Sequence, residues 1–385
     1  MLHANDPDHV LLLDNLTRFA RSPVAAAAKS WDHEERFCHE ALAPLAELGT
    51  WGATVPLAYG GSGLDCYGFA LMIARLAAVD GSLALTVASH VGLCCAHIAL
   101  AGSEAQKRRF LPKLAAGRAM GAWGLTEPGS GSDAVRMQTT AEQRADGWHL
   151  SGSKTFITQG TVAEVYVVLA ITDRAAGSRG VTAFLLERGQ AGFAQTPLKG
   201  KHGMRGSDTA TLHFDDVVVP DDCVLGAVGR GFVDTMQVLD RGRIAIAALA
   251  LGLAGDALSQ AQRYAEARHQ FGQPLEAFQA IQFKLADMAT SFEAARLLVE
   301  QAARAADAGR PFGKAASMAK LFASEAAVAI CQESLQIHGG YGYTNDFVVE
   351  RHLRDARLCT IGEGTSEIQR MVIARHLRRE RQPST

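Results

Sequence analysis

A glutamate near the C-terminal end is the best-placed candidate for acid–base chemistry. In IGEGTSEIQR, Ile361 to Arg370, Glu363 precedes Gly364 and a helix start, with Ser366 and Gln369 spaced as a capping box. The carboxylate thus sits on a short loop where it can reach a pocket, although a solvated residue at a helix start reads the same way. Other stretches have the types that meet an anion or a planar heterocycle. GLTEPGSGSD, Gly124 to Asp133, offers amides between close glycines and the hydroxyls of Thr126, Ser130 and Ser132. A flexible strand connection has the same composition, and neither a P-loop ending nor a βαβ dinucleotide fingerprint is present. In KTFITQG, Lys154 to Gly160, two-residue alternation puts Phe156 and Thr158 on one face. That pair is either a platform for a planar ring or a core Phe beside an exposed Thr. RHQFG, Arg268 to Gly272, ends a long helix, where Arg268 complements the helix dipole or grips a phosphate. QIHGGYGYTND, Gln336 to Asp346, closes another helix on Gly339 and Gly340, which cap it or bare amides to a ligand. Arg351 and Asp355, four apart on the next short helix, are expected to pair.

The elements that must position these residues fall into blocks. From 1 to 120 the apolar residues recur at helical spacing in Val10 to Ala20, Glu34 to Leu48, Tyr67 to Val79, Leu83 to Leu100 and Glu104 to Ala115. From 121 to 228 the segments are short and β-branched: Ala119 to Leu125, Trp148 to Ile157, Val165 to Ile171, Val181 to Leu186 and Thr209 to Val219. From 229 to 385 long amphipathic runs return at Phe232 to Arg268, Ala280 to Ala308, Lys314 to His338 and Glu367 to Arg379, with a short helix at Phe347 to Asp355. The expected fold is mostly α: an N-terminal helical domain, a middle β domain of barrel or sandwich type, and a C-terminal four-helix bundle.

Hydrophobic content of 48% with 20% charged residues provides for a large core, and a net charge of -2 gives no general attraction to nucleic acid or anionic membrane. The longest apolar run, Ile244 to Gly255, is short for a bilayer, and the first residues show no leader pattern. The seven cysteines form no CxxC pair; reduced thiols in a cytoplasm are expected, with no metal site.

Taken together in this order, GLTEPGSGSD, KTFIT, RHQFG, QIHGGYGYTNDFVVERHLRD and IGEGTSEIQR resemble the acyl-CoA dehydrogenase family over nearly the whole chain. The resemblance implies FAD between the β domain and the bundle, met by Trp123, Leu125, Thr126, Gly131 and Ser132. Phe156 would stack on the isoalloxazine, Thr158 would hydrogen-bond near N5, and Ile157 would also meet the cofactor. Arg268, Phe271, Gln336, Gly339 and Gly340 would hold the pyrophosphate and adenosine half of a neighbouring subunit's FAD, with Gln279, Thr365 and Glu367 completing the site. A homotetramer or dimer is therefore implied, with electron-transfer flavoprotein as electron acceptor and a role in fatty acid or amino acid degradation. Ser132, Asp240, Arg243 and Gly364 would lie along the acyl and pantetheine path.

The implied reaction is α,β-dehydrogenation of an acyl-CoA thioester, with Glu363 removing the α-proton and hydride passing to flavin N5. Such a base works best with its pKa raised by burial towards about 6–7. The Glu363 amide and a flavin ribityl hydroxyl would bind the thioester oxygen. Some members place the base on the long helix in the segment matching LDRGR; here that position is Gly242. Three departures stand out: Phe156 where many members have Trp, Arg136 where a small residue is usual, and Gly362 where many have Tyr. The last predicts room for branched acyl groups. A decarboxylating glutaryl-type substrate is disfavoured because Ser82 to Ala99 contains no Arg. An oxidase or monooxygenase of the same fold, a carrier-protein substrate and a non-catalytic FAD-binding relative are the alternatives.

Overall fold

Helical stripes in the first third fold as helices, placed by side chains that cap their free amides. The computed structural model describes Leu2 and residues 7–381; half of the opening stretch read for a leader, residues 1 and 3–6, lies outside them. The N-terminal helices are α1 (Pro7–Ala20), α2 (Pro23–Ala26), α3 (Ala28–His33), α4 (Leu42–Glu47), α5 (Cys66–Val79), α6 (Gly81–Ser89), α7 (Ala96–Ala101) and α8 (Glu104–Ala115). Asp65 and Asp80 cap α5 and α6 through the amides of Gly68 and Leu83, and Ser103 with Gln106 forms a capping box on α8. The single helix expected over Glu34 to Leu48 is not there. Glu35 turns left-handed (φ 48°), and Pro44 cannot donate to the Glu40 carbonyl, so the helix begins afresh at Leu42. Leu83 to Leu100 is helical, but its middle, His90–Cys95, winds as a buried π-helix.

The middle region holds β1 (Gly121–Gly124), β2 (Thr140–Arg144), β3 (Gly147–Thr158), β4 (Val165–Ile171), β5 (Val181–Glu187), β6 (Phe193–Pro197), β7 (Thr209–Val219) and β8 (Val224–Leu225). They form one eight-stranded sheet in the order β6-β7-β3-β2-β4-β5-β8, with β1 beside β4. The β1–β4 pairing is parallel, and β3 pairs antiparallel with β7. The strands β2, β6 and β8 escaped the sequence pattern because they are short or largely exposed.

The last block contains α9 (Gly231–Ala267), α10 (Gln279–Asp307), α11 (Gly313–His338), α12 (Val349–Cys359) and α13 (Ser366–Glu380). On α9 small residues permit close approach: a Cβ on Gly252 would meet the Ala74 carbonyl of α5 at 2.2 Å. By length and composition alone α9 and the continuous Gly81–Ala101 run could cross a membrane, yet 78% of each apolar window is buried inside the protein.

The three blocks meet at α12. Asp355 accepts from the Met204 amide at 2.5 Å, and Arg354 forks onto Asp32 at 2.7 and 2.9 Å and onto Glu350 of its own helix. The expected Arg351–Asp355 pair does not form. Arg351 reaches Asp80 at 3.8 Å and the Val79 carbonyl, because both α12 side chains are drawn to different neighbours in the other domains.

Candidate active site

Glu363 lies on the turn between α12 and α13, held in an unusual backbone conformation. Its φ is 53° and that of Gly364 is 95°, so two successive residues are left-handed, which a non-glycine residue adopts only at a cost of about 1–2 kcal/mol. Three side chains hold the turn. Thr365, not the expected Ser366, caps α13 by accepting from the Ile368 amide at 3.4 Å. Gln369, fully buried, donates its amide to the carbonyls of Gly364 and Glu363 at 2.9 and 3.3 Å. The capping box is thus replaced, because the left-handed turn presents carbonyls where a box presents a free amide. From α11, the fully buried Lys320 donates to the Gly364 carbonyl at 2.7 Å.

The turn delivers the Glu363 carboxylate onto α9 at Gly242. A Cβ there would lie 2.1 Å from Oε2 and 3.0 Å from Cδ, so only glycine leaves room. Oε2 is buried without a hydrogen-bond partner. Burial pushes the carboxyl up to about 7, against the downward pull of Lys320 and Arg243. Arg243 is itself buried and ion-paired with Asp240, and its Nε has no partner. Asp240, Arg243, Glu363, Gly364 and Thr365 are therefore brought together at one place. Glu367 faces solvent on the first turn of α13.

The loop after β1 is anchored from below and open above. Glu127 and Ser130 exchange backbone hydrogen bonds, and Glu127 accepts from the amides of Gln138 and Thr139. Lys154, fully buried on β3, pairs with Glu127 at 2.7 Å and donates to the Leu125 carbonyl at 3.2 Å. Burial lowers Lys154 to about 8; Glu127, despite the upward push of burial, is held below its usual range by Lys154, the Gln138 amide and Thr139. Trp123 and Leu125 are buried, Trp123 donating to Nδ1 of His97 at 3.0 Å. Gly131 and Ser132 are exposed, and a Cβ on Gly129 or Gly131 would meet nothing within 4 Å.

Phe156 stands on β3 beside this loop. The strand bulges against β7 between Lys154 and Ile157, and Phe156 takes φ 57°. The bulge, not simple alternation, turns its ring outward: Phe156 is 65% exposed, while Ile157 is buried and Thr158 half-buried.

A third group lies on the outer surface. Arg268 ends α9 and has no carboxylate partner among the described residues; its guanidinium lies 5.9 Å from the Tyr341 ring, next to Gly339 and Gly340. Phe271 (φ 51°) is 94% exposed, and Gln279 and Gln336 are exposed too. Neither Gly339 nor Gly340 has a neighbour within 4 Å of an added Cβ. None of this group hydrogen-bonds or stacks with Phe156, Thr158 or Glu363 in the same chain.

These residues suit FAD: an outward aromatic beside a hydroxyl, backbone bare at two glycine pairs, and a guanidinium without an acid partner among the described residues. Gly242, the position where some members place their base, does lie against Glu363; the sequence pattern gives no sign of the Lys154–Glu127 clamp or the Gln369 clamp, and does not pick out Lys320. Only Lys320 had a visible signal, being a charge on the apolar stripe Ala316, Ala319, Ala323 and Ala327.

Comparison with known proteins agrees with this geometry. Family profiles for the acyl-CoA dehydrogenase N-terminal, middle and C-terminal domains match residues 6–118, 122–217 and 229–378. The human mitochondrial short-chain specific acyl-CoA dehydrogenase is 43% identical over 371 residues, 96% of this chain and 90% of that protein. The solved butyryl-CoA dehydrogenase of Megasphaera elsdenii superposes with a TM-score of 0.95 at 42% identity, covering 98% of this chain and 100% of that one. A chain solved in work on the electron-transferring flavoprotein of Acidaminococcus fermentans has the same TM-score of 0.95 and identity of 42%, over 98% of this chain and 99% of its own. With all three domains matched in order, the chain belongs to the acyl-CoA dehydrogenase family, FAD-dependent oxidoreductases of acyl-CoA thioesters.

Proposed function

We propose that Glu363 is the base that removes the α-proton of a short-chain acyl-CoA, and that Oε2 is the accepting atom. The observation that supports this best is the buried, partnerless Oε2 held against Gly242. A carboxyl raised to about 7 is poised to take a proton near neutral pH. The Glu363 amide, which donates to no other described group, is available to the thioester oxygen, where charge develops as the proton leaves. FAD, when bound, supplies the acceptor for the β-hydride. Phe156 and Thr158 support its ring, and the loop Trp123 to Ser132 lines its edge. Ser132, Asp240, Arg243 and Gly364 line the acyl and pantetheine path.

The exposed group Arg268, Phe271, Gln279, Gln336, Gly339 and Gly340 serves the FAD of a neighbouring subunit, so the working unit is a homotetramer or dimer. Electron-transfer flavoprotein is the electron acceptor in this reading, and the short-chain preference follows the named relatives. Domain limits of 1–120, 121–228 and 229–385, and a cytoplasmic location, belong to the same reading. Anaerobic titration of the yellow protein with butyryl-, isobutyryl- and long-chain acyl-CoAs tests it by bleaching of the flavin. Bleaching by the short thioesters at the lowest ratio is expected; bleaching by none of them overturns it. Peroxide release in air, compared with reduction of an artificial acceptor, separates a dehydrogenase from an oxidase.

A further inference from the structure

We infer that Lys320 is the positioning residue for the proton-accepting glutamate: it anchors the Glu363–Gly364 turn and holds a positive charge beside the carboxylate. This rests on Glu363 being the base. Lysine is almost never fully buried unless paired, yet Lys320 is fully buried on the inner face of α11 and forms no ion pair among the described residues. Its ammonium has three donors, and the structure shows one in use, at 2.7 Å to the Gly364 carbonyl. That carbonyl belongs to the residue after the base, inside the left-handed pair whose φ values are 53° and 95°. The bond therefore fixes the strained turn that aims Glu363 at Gly242.

Charge accounts for the rest. The cations that face Glu363 are Lys320 from α11 and Arg243 from α9. Arg243 is already matched by Asp240, which leaves Lys320 as the one of these two without an acid of its own. Around Lys320 itself stand Cys359 of α12, Glu363, Glu367 of α13 and Arg243. Burial lowers Lys320 only to about 8, so it still carries its charge while Glu363 titrates near 7. A base buried here without that charge would hold its proton to higher pH.

Exchange of the α-protons of acetyl-CoA with D2O, followed by NMR on the FAD-loaded enzyme, reads the base alone, since this thioester has no β-hydrogen to lose. In the native protein the exchange rate should climb as pH rises through about 7. Lys320→Met should move that climb up by about one pH unit and lower the plateau about tenfold or more. Lys320→Gln, which keeps a donor for Gly364, should move the climb while keeping most of the plateau, and Lys320→Arg should restore both. If Met at this position costs the fold, Lys320→Gln carries the test. A climb left in place in the uncharged variants overturns the inference. Glu363→Gln separates this from the parent reading: exchange surviving there removes Glu363 as base, whereas its loss with an unmoved Lys320 series removes only the role of Lys320.

Discussion

The turn that carries Glu363 and the surface that carries Arg268 and Phe271 are built in opposite ways. At the turn every contact is internal: Lys320, Gln369 and Thr365 clamp a strained backbone, and Gly242 receives the carboxylate. At the surface the same kinds of devices, left-handed residues and paired glycines, are present without anything to clamp. Phe271 is 94% exposed and Tyr343 88% exposed. The contrast agrees with the proposed reading, in which a single chain builds the proton-transfer half of its site and another copy completes the nucleotide-holding half.

The strongest way to break this division is at the base. Glu363→Gln should cut flavin bleaching by a short acyl-CoA by about 10²–10⁴-fold while FAD stays bound and the oligomer stays intact. If the variant loses FAD instead, the turn and the nucleotide surface are one unit and the division fails. Gly242→Ala attacks the same spot without touching the carboxylate. Its methyl would sit 2.1 Å from Oε2, so the base must swing away, and a rate loss of about 10²-fold is expected. Stopped-flow reduction on protein with a normal flavin spectrum measures it, and an unaltered rate would show that Glu363 works from another position.

Changes on the outer surface should do the reverse. Arg268→Ala removes a guanidinium that has no acid partner among the described residues, so FAD should bind about tenfold more weakly. Loss of the flavin should also grow on dilution, as subunits part, while the loaded fraction bleaches at the native rate. Fluorescence of released FAD against protein concentration reads both, and retention independent of concentration would place the whole cofactor site within one subunit. A smaller effect is expected at Gly362, where an added Cβ would meet Leu358 atoms at no less than 3.7 Å. Gly362→Tyr therefore folds and fills the space near the base, and should lower the rate with isobutyryl-CoA relative to butyryl-CoA by a few-fold. Equal ratios before and after the change would remove Gly362 from substrate choice.

The same contrast explains how much of the fold and the site is legible in the sequence. Long amphipathic helices such as α9 and α11 announce themselves because their period is sustained, and the apolar strand β4 does so by composition. Glycine pairs and Arg268 could be picked out because a surface site is local in sequence. The turn around Glu363 was legible only as a carboxylate before a helix. Thr365 and Gln369 are local clamps, but Lys320 comes from α11 and the landing place from α9, more than forty and one hundred residues away, so no local spacing encodes those two. The capping-box pattern fails for this reason: Gln369 has the right type at the right distance, but the left-handed turn presents it with carbonyls. Arg351 and Asp355 likewise have the spacing of a helix pair and are pulled apart by Asp80 and Met204 of other domains.

The mildest prediction concerns stability and follows from the sign of the Glu363 shift. Burial raises this carboxyl from its ordinary 4.5 to about 7, so the fold prefers the protonated form. Its contribution is fully present below about pH 4.5 and is lost as pH rises through about 7, where a charge must be kept in a buried place. Gln at 363 has the protonated shape at every pH. Glu363→Gln should therefore melt higher than the native protein at pH 8, by about 1–3 kcal/mol in stability, with the gap closing towards pH 5. Thermal melts of the two proteins across that range measure it. No comparable pH-dependent gap is expected for Arg268→Ala, because the outer surface holds no buried charge to relieve. A native protein that melts higher than Glu363→Gln at pH 8 would mean that Lys320 and Arg243 outweigh burial, and that the base is stabilised as a carboxylate in the resting enzyme.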